Sequence, residues 1–296
     1  MRDPTRFEKE RIAIMKSRFI TSVLLLFVAT AAGAATPTYS TGGVDVYTPC
    51  GVPNLPWRVL SANKVAGWFN VAGFPAVSNW RNGDVWGSDF RNTGAPDDRE
   101  PGGGSDLPQI YFYAGHGTCQ DPPGPTDPDY ISVCSQVGPD FNDIGATSGW
   151  GSQSGGNLQF LFLDASCPMD LISLGNEWFP VFRGLHVATG HSGTSSHDTL
   201  DSPDRSDVFA TYAVGGGMFD LYGLVSLPII LLYPPLSVGD AWMASGLMDV
   251  ESEVCAVAIA AGETEADAID RREHERVTDG RSDPIPNWFG WKWICN

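Results

Sequence analysis

The chain carries a histidine and a cysteine in settings that suit acyl transfer. His116 stands between Gly115 and Gly117, and Cys167, 51 positions later, closes the run Asp164-Ala165-Ser166-Cys167. A cysteine attacks a carbonyl as its thiolate, which must be accessible near neutral pH. A neighbouring imidazole takes the thiol proton or hands one to the leaving group. The oxyanion that follows needs N–H donors. Gly117 leaves its backbone N–H open to approach, and the N–H of Cys167 is a second candidate donor. The expected site is therefore His116, Cys167 and Gly117. This chemistry requires no cofactor and no metal.

Two short apolar runs must position that pair. Gln109-Ile110-Tyr111-Phe112-Tyr113-Ala114 leads into His116, and Leu158-Gln159-Phe160-Leu161-Phe162-Leu163 leads into Asp164 and Cys167. Apolar, aromatic-rich runs bounded by Gly and Asn read as strands buried on both faces, the parallel-sheet kind. Sites in such sheets form at the carboxyl ends of the strands, where these residues stand.

The other elements follow the same logic. A first strand is expected over Gly43 to Thr48, and helices over Val59 to Phe69, Ser206 to Val214 and Val238 to Leu247. Asp170 to Phe182 reads as a helix or helical turn, and Leu185 to Thr189 as a further strand. Val254 to Ala260 reads as a strand or the start of the helix Glu263 to Val277. Trp288 to Ile294 alternates as a strand. Asn79 to Gly104 reads as irregular, with one short strand near Asp84 to Phe90. Thr118 to Gly156 reads as a long loop, because Pro122-Pro123-Gly124-Pro125 disfavours regular structure. Alternating strands and helices imply an α/β fold: a mostly parallel sheet with helices on both faces and long loop insertions. Residues 35–296 read as a single domain.

Two blocks carry a resemblance. Tyr111-Phe112-Tyr113-Ala114-Gly115-His116-Gly117 and Phe160-Leu161-Phe162-Leu163-Asp164-Ala165-Ser166-Cys167 resemble the His and Cys blocks of the caspase–haemoglobinase fold. That is the fold of the clan CD cysteine peptidases, which include caspases, metacaspases, legumains, gingipains and clostripains. The spacing of the pair is close to the ~50 residues found in caspases. Phe182 to Gly190 is similar to the following strand of exported domains of this fold. The resemblance spans residues 107–192. It implies a caspase-like three-layer sandwich, His116 as catalytic histidine, Cys167 as nucleophile, Gly117 as oxyanion donor, and a peptide or protein substrate. Asp-Ala-Ser-Cys carries one residue more between Asp and Cys than the Asp-Ala-Cys form, and Pro168-Met169 replaces the small residues common after the nucleophile. No specificity pocket can be identified.

The rival expectation is a catalytically inactive domain of this fold that binds an extracellular protein or glycan. Six cysteines in an exported chain normally pair. Cys119 with Cys134 and Cys255 with Cys295 are the expected pairs. That leaves Cys50 on the same sheet edge as Cys167, where a bond would silence the thiol or hold it latent until reduced. Ser192 lacks the second glycine of a nucleophile elbow. His191 and His197 could join His186 in a metal site, but strand-tip spacing of this sort is common by chance.

Composition narrows the partners. The net charge of −17 and a pI near 4.5 exclude a nucleic-acid binder, which needs a basic face. Met15-Lys16-Ser17-Arg18, the apolar run Phe19 to Ala32 and the small residues Ala32-Gly33-Ala34 read as a cleaved signal peptide over residues 1–34, with Met15 as the true start. Its removal takes six Lys/Arg and three Asp/Glu, leaving a charge of about −20. The expectation is a secreted or periplasmic protein with no later membrane span, since Pro228 interrupts Leu224 to Leu232.

Overall fold

The computed structural model describes residues 36–90, 104–118, 130–135, 138–143, 148–171, 174–193, 205–221, 225–229, 233–247 and 254–295. The leader expectation falls outside them.

The core is a seven-stranded sheet. In chain order its strands are β1 (Tyr39–Gly43), β2 (Ala76–Arg81), β3 (Ile110–Ala114), β7 (Phe160–Asp164), β8 (Val187–Ser192), β11 (Cys255–Gly262) and β12 (Trp288–Cys295). Across the sheet the order is β2-β1-β3-β7-β8-β11-β12. The five strands from β2 to β8 run parallel, while β11 is antiparallel to β8 and β12 antiparallel to β11. The expected mostly parallel α/β architecture is present.

Period-two alternation divides the core between two faces. Ile110, Phe112, Phe160, Phe162 and Val187 pack with Phe69, Phe209 and Trp242. Those partners come from α1 (Arg58–Val71), α3 (Arg205–Val214) and α4 (Val238–Gly246). Tyr111, Tyr113, Leu161, Leu163 and Ala188 face the other way, onto Phe90, Ile131, Val133, Trp150 and Trp178. That second layer is less regular. It holds the short helix α2 (Leu174–Trp178) and an antiparallel sheet of β4 (His116–Thr118), β5 (Tyr130–Ser135) and β6 (Gly138–Asp143). The result is a three-layer α/β sandwich. A separate hairpin joins β9 (Gly217–Leu221) to β10 (Val225–Ile229), and α5 (Glu265–His274) precedes β12.

Local chemistry sets the helix starts. Ser237 Oγ accepts the Asp240 N–H at 3.1 Å, and Thr264 Oγ1 accepts the Asp267 N–H at 3.1 Å. Helix α1 instead borrows its cap from the loop after β1, where Asp45 Oδ1 accepts the Val59 N–H at 2.8 Å. Buried Ser61, Ala62, Val65, Ala66, Trp68 and Phe69 recur at helical spacing along α1.

Several expectations need correction. The first strand is Tyr39–Gly43, upstream of the expected run. Its small polar residues are buried because Ser40 and Thr41 hydrogen-bond Ser78 and Asn79 of β2, both at 2.8 Å. Asp84 to Phe90 forms 3-10 turns, not a strand. Strand β2, whose last three residues fall in the region expected to be irregular, escapes an apolar pattern because it is a half-exposed sheet edge. The expected loop Thr118 to Gly156 contains β5 and β6. The expected Cys119–Cys134 staple is absent: Cys134 on β5 bonds Cys50, with Cα atoms 5.9 Å apart. This happens because β5 packs beneath the Tyr47–Cys50 turn, bringing Cys134 to that loop. Cys255 and Cys295 bond as expected, facing each other across β11 and β12. Disulfides of this kind are compatible with export. Among the described residues no helix is long and apolar enough to cross a membrane.

Candidate active site at the strand ends

The parallel strands end level with one another. Gly43 pairs with Ala114, and Ala114 pairs with Asp164. The ladder runs one step further, where the Gly115 N–H donates to the Asp164 carbonyl at 3.1 Å. Beyond that step lie His116 on one strand and Ser166 and Cys167 on the other. The register thus brings the sequence-predicted histidine and cysteine segments to one edge of the sheet.

His116 is half-buried and held from two sides. Its N–H donates to Tyr47 Oη at 2.9 Å, and its ring lies edge-on to the Tyr47 ring with centroids 4.4 Å apart. The ring Nε2 lies 3.0 Å from the Pro53 carbonyl oxygen. A carbonyl oxygen only accepts, so Nε2 carries the proton and Nδ1 keeps its lone pair. Burial lowers the His116 pKa; the Pro53 bond opposes that and the Arg58 charge adds to it. The ring is neutral at pH 7, the form a general base requires. Tyr47 is itself pushed up to about 12, chiefly by burial. Its hydroxyl lies 3.1 Å from Tyr113 Oη, and both tyrosines reach the Ser132 carbonyl, at 3.2 and 2.8 Å. This neutral network ties the histidine strand to β5.

The glycines beside His116 answer to packing. A Cβ on Gly115 would overlap Tyr113 Oη, and one on Gly117 would overlap the Ser166 carbonyl oxygen. Gly117 therefore lets β4 lie directly against the turn that follows β7.

Cys167 sits at a sharp corner. Its φ of +51° is in the left-handed region that a non-glycine residue seldom adopts. It is buried, at 6% exposure, and disulfide-bonded to a partner outside the described residues. The expected Cys50 partner is excluded, since Cys50 bonds Cys134. The Cys167 N–H donates to the Gly193 carbonyl at 3.1 Å, so it is committed to the β8 end and not to an oxyanion. Met169 continues the same seam, donating to the His191 carbonyl at 3.2 Å. Ser166, one residue earlier, remains partly exposed.

Beneath this corner lies a buried charged cluster. Asp164 is shared by Arg58, at 3.2 Å, and by Arg205, and it accepts the Ser206 hydroxyl at 2.9 Å. Each arginine begins a helix, α1 or α3, so one carboxylate clamps the two helices to the end of β7. Its alternation with Phe160 and Phe162 turns Asp164 toward the helical layer. His191 Nε2 lies 3.8 Å from the same carboxylate, and its ring packs on Trp242.

Sequence reasoning missed Pro53 and Tyr47. Neither lies near His116 in the chain, and neither residue type announces a role. The sequence signal was only that the expected first strand, Gly43 to Thr48, ends on the same sheet edge. His186, far from this corner, is buried between Glu275 at 2.6 Å and Asp283 at 2.9 Å. Among the described residues no group of three or more His, Cys, Asp or Glu is arranged to hold a metal ion.

A family model described as a domain of unknown function (DUF6345) matches residues 42–288, nearly the whole described fold. No curated protein and no solved structure matches the chain.

Proposed function

We propose that this chain, which belongs to the DUF6345 family, is a secreted or periplasmic cysteine-peptidase-like hydrolase of the caspase–haemoglobinase type. Its substrate is a peptide or protein, cleaved through an acyl-thioester at the carboxyl ends of β3 and β7. The observation that carries the reading is the neutral His116 ring, fixed through Nε2 by Pro53 with Nδ1 left as acceptor, on the sheet edge shared with the Cys167 turn.

In this reading Cys167 is latent while its disulfide persists. An external dithiol reduces that bond by taking its place in a disulfide. The Cys167 thiol then passes its proton to His116 Nδ1 as its sulfur attacks the scissile carbonyl and an S–C bond forms. The C–N bond breaks as protonated His116 gives its proton to the leaving amine. Water, losing a proton to His116, hydrolyses the thioester and restores the thiol. Gly117 is the proposed donor to the oxyanion. The test incubates the full chain with a fluorogenic peptide library, with and without dithiothreitol, alongside iodoacetamide mapping. Hydrolysis by the reduced chain, with label on Cys167, is expected. No hydrolysis in either redox state sinks the reading.

The bonded state of Cys167 favours a second reading: a non-catalytic module that binds a protein or glycan outside the cell. It is the reading that survives if Cys167 stays bonded under mild reduction and no peptide is cleaved.

A further inference from the structure

The geometry points to Ser166 Oγ, not Cys167 Sγ, as the nucleophile that His116 serves in the oxidised protein. This rests on the hydrolase reading above and changes the atom that is acylated.

Register carries the inference. Ala114 and Asp164 are paired across β3 and β7, and the next rung is also made, from the Gly115 N–H to the Asp164 carbonyl. His116 lies two residues beyond Ala114, and Ser166 lies two residues beyond Asp164. The two residues are thus level at the sheet edge, and Cys167 is one step past that level. Gly117 packs directly against the Ser166 carbonyl, with no room for a side chain between them. The strand bearing His116 therefore lies against the residue bearing the hydroxyl.

The corner at Cys167 separates the two candidates further. Its left-handed backbone and its hydrogen bond to Gly193 turn the chain toward β8. Its sulfur is buried and bonded, while Ser166 keeps access to solvent. A serine needs no reduction, which suits an oxidising compartment where a thiol would stay locked. It does need a base, and His116 offers a lone pair on Nδ1.

The chemistry balances with water as the sole co-reactant. His116 Nδ1 takes the Ser166 proton as Oγ bonds the acyl carbon. The imidazolium returns that proton to the leaving group as its bond to carbon breaks. Water then attacks the ester, its proton passing through Nδ1 to Ser166 Oγ as the acid departs.

A serine-directed fluorophosphonate applied to the full chain without reductant provides the test. The expected result is an adduct on Ser166, with labelling about 100-fold slower in H116A. The S166C variant, still unreduced, should alkylate at position 166 at least about tenfold faster than the same thiol in the urea-unfolded chain, through a lowered thiol pKa. This arm stands even if H116A does not fold. A Cys167 adduct and peptide hydrolysis that appear only after reduction, with no Ser166 adduct, overturn the inference and leave the hydrolase reading intact. Absence of any adduct and of hydrolysis in both redox states overturns both.

Discussion

His116 Nε2 donates to the Pro53 carbonyl oxygen at 3.0 Å, and this contact decides which ring nitrogen can act as a base. Pro53 lies in the loop after β1, so the tautomer is set by a strand two places away in sequence order and adjacent to β3 in space. Burial keeps the ring below the ordinary imidazole range. Hydrolysis is therefore expected to rise with pH through a single step below pH 6.5 and to stay flat above it to pH 8. H116Q should lower kcat by about 100-fold or more with little change in the unfolding midpoint. A rate that ignores pH between 5 and 8 would argue against a histidine base.

Gly117 is where the two reactive strands touch. Adding one methyl there forces β4 away from the Ser166 carbonyl. G117A should cost about 1–3 kcal/mol in urea unfolding, the usual penalty of overpacking. If the variant unfolds with wild-type stability, the close approach is not what keeps a glycine at this position.

Asp164 is the anchor below the corner. Replacing it with Asn leaves Arg58 and Arg205 buried without their shared counter-charge. D164N should lose about 3–5 kcal/mol, as expected when one member of a buried ion pair is removed. Calorimetry at pH 7 reads this directly. A loss below about 1 kcal/mol would mean that water enters the cluster.

The disulfides should stabilise unequally. Cys50–Cys134 closes a sequence separation of 84 and Cys255–Cys295 one of 40. Chain entropy puts the first at roughly 4.6 kcal/mol and the second at roughly 3.9 kcal/mol. Paired serine substitutions, C50S/C134S and C255S/C295S, measured in denaturant, should keep that order. A non-reducing peptide map should recover these two pairs, with Cys167 in a third.

Stability should depend on pH at the far end of the sheet, through His186. Burial opposes its charged form, but the bonds to Asp283 and Glu275 together raise its pKa. Asp283 is held near about 2, first by its bond from His186. The protonated ring therefore contributes stability that is complete below pH 6.5 and is lost as pH rises through its folded value. The carboxylate contributes above about pH 4 and is lost as pH falls toward about 2. Asp106, pushed up to about 7 by burial, binds more protons folded than unfolded, so it too makes stability fall as pH rises from about 4 to 7. Urea midpoints across pH 3–8 should decline on the alkaline side. H186Q and D106N should each flatten that decline, and a wild-type slope in both would remove the assignment.

Much of the architecture could be read before any coordinates. Ile110–Ala114 and Phe160–Asp164 announced themselves because a strand buried on both faces must be apolar throughout. The helices α3 and α4 were legible from the helical spacing of their apolar residues, and the strand β12 from its alternation. Strands β1 and β2 were not, because their Ser, Thr and Asn side chains satisfy one another across the ladder. Strands β5 and β6 were hidden among Pro and Gly, in a segment whose ordering depends on packing under Tyr47 and Phe90.

What the sequence by itself determined was the mostly parallel α/β fold and the sheet edge on which His116 and Cys167 would stand. Both follow from local burial patterns and from where the strands stop. Only the tertiary structure decided the rest. The partner of Cys134, the Pro53 carbonyl on the His116 ring, the double arginine clamp on Asp164 and the level register of His116 with Ser166 all join segments remote in sequence. Residue type states what a group can do. Which atom it meets depends on register and packing, and these are properties of the folded whole.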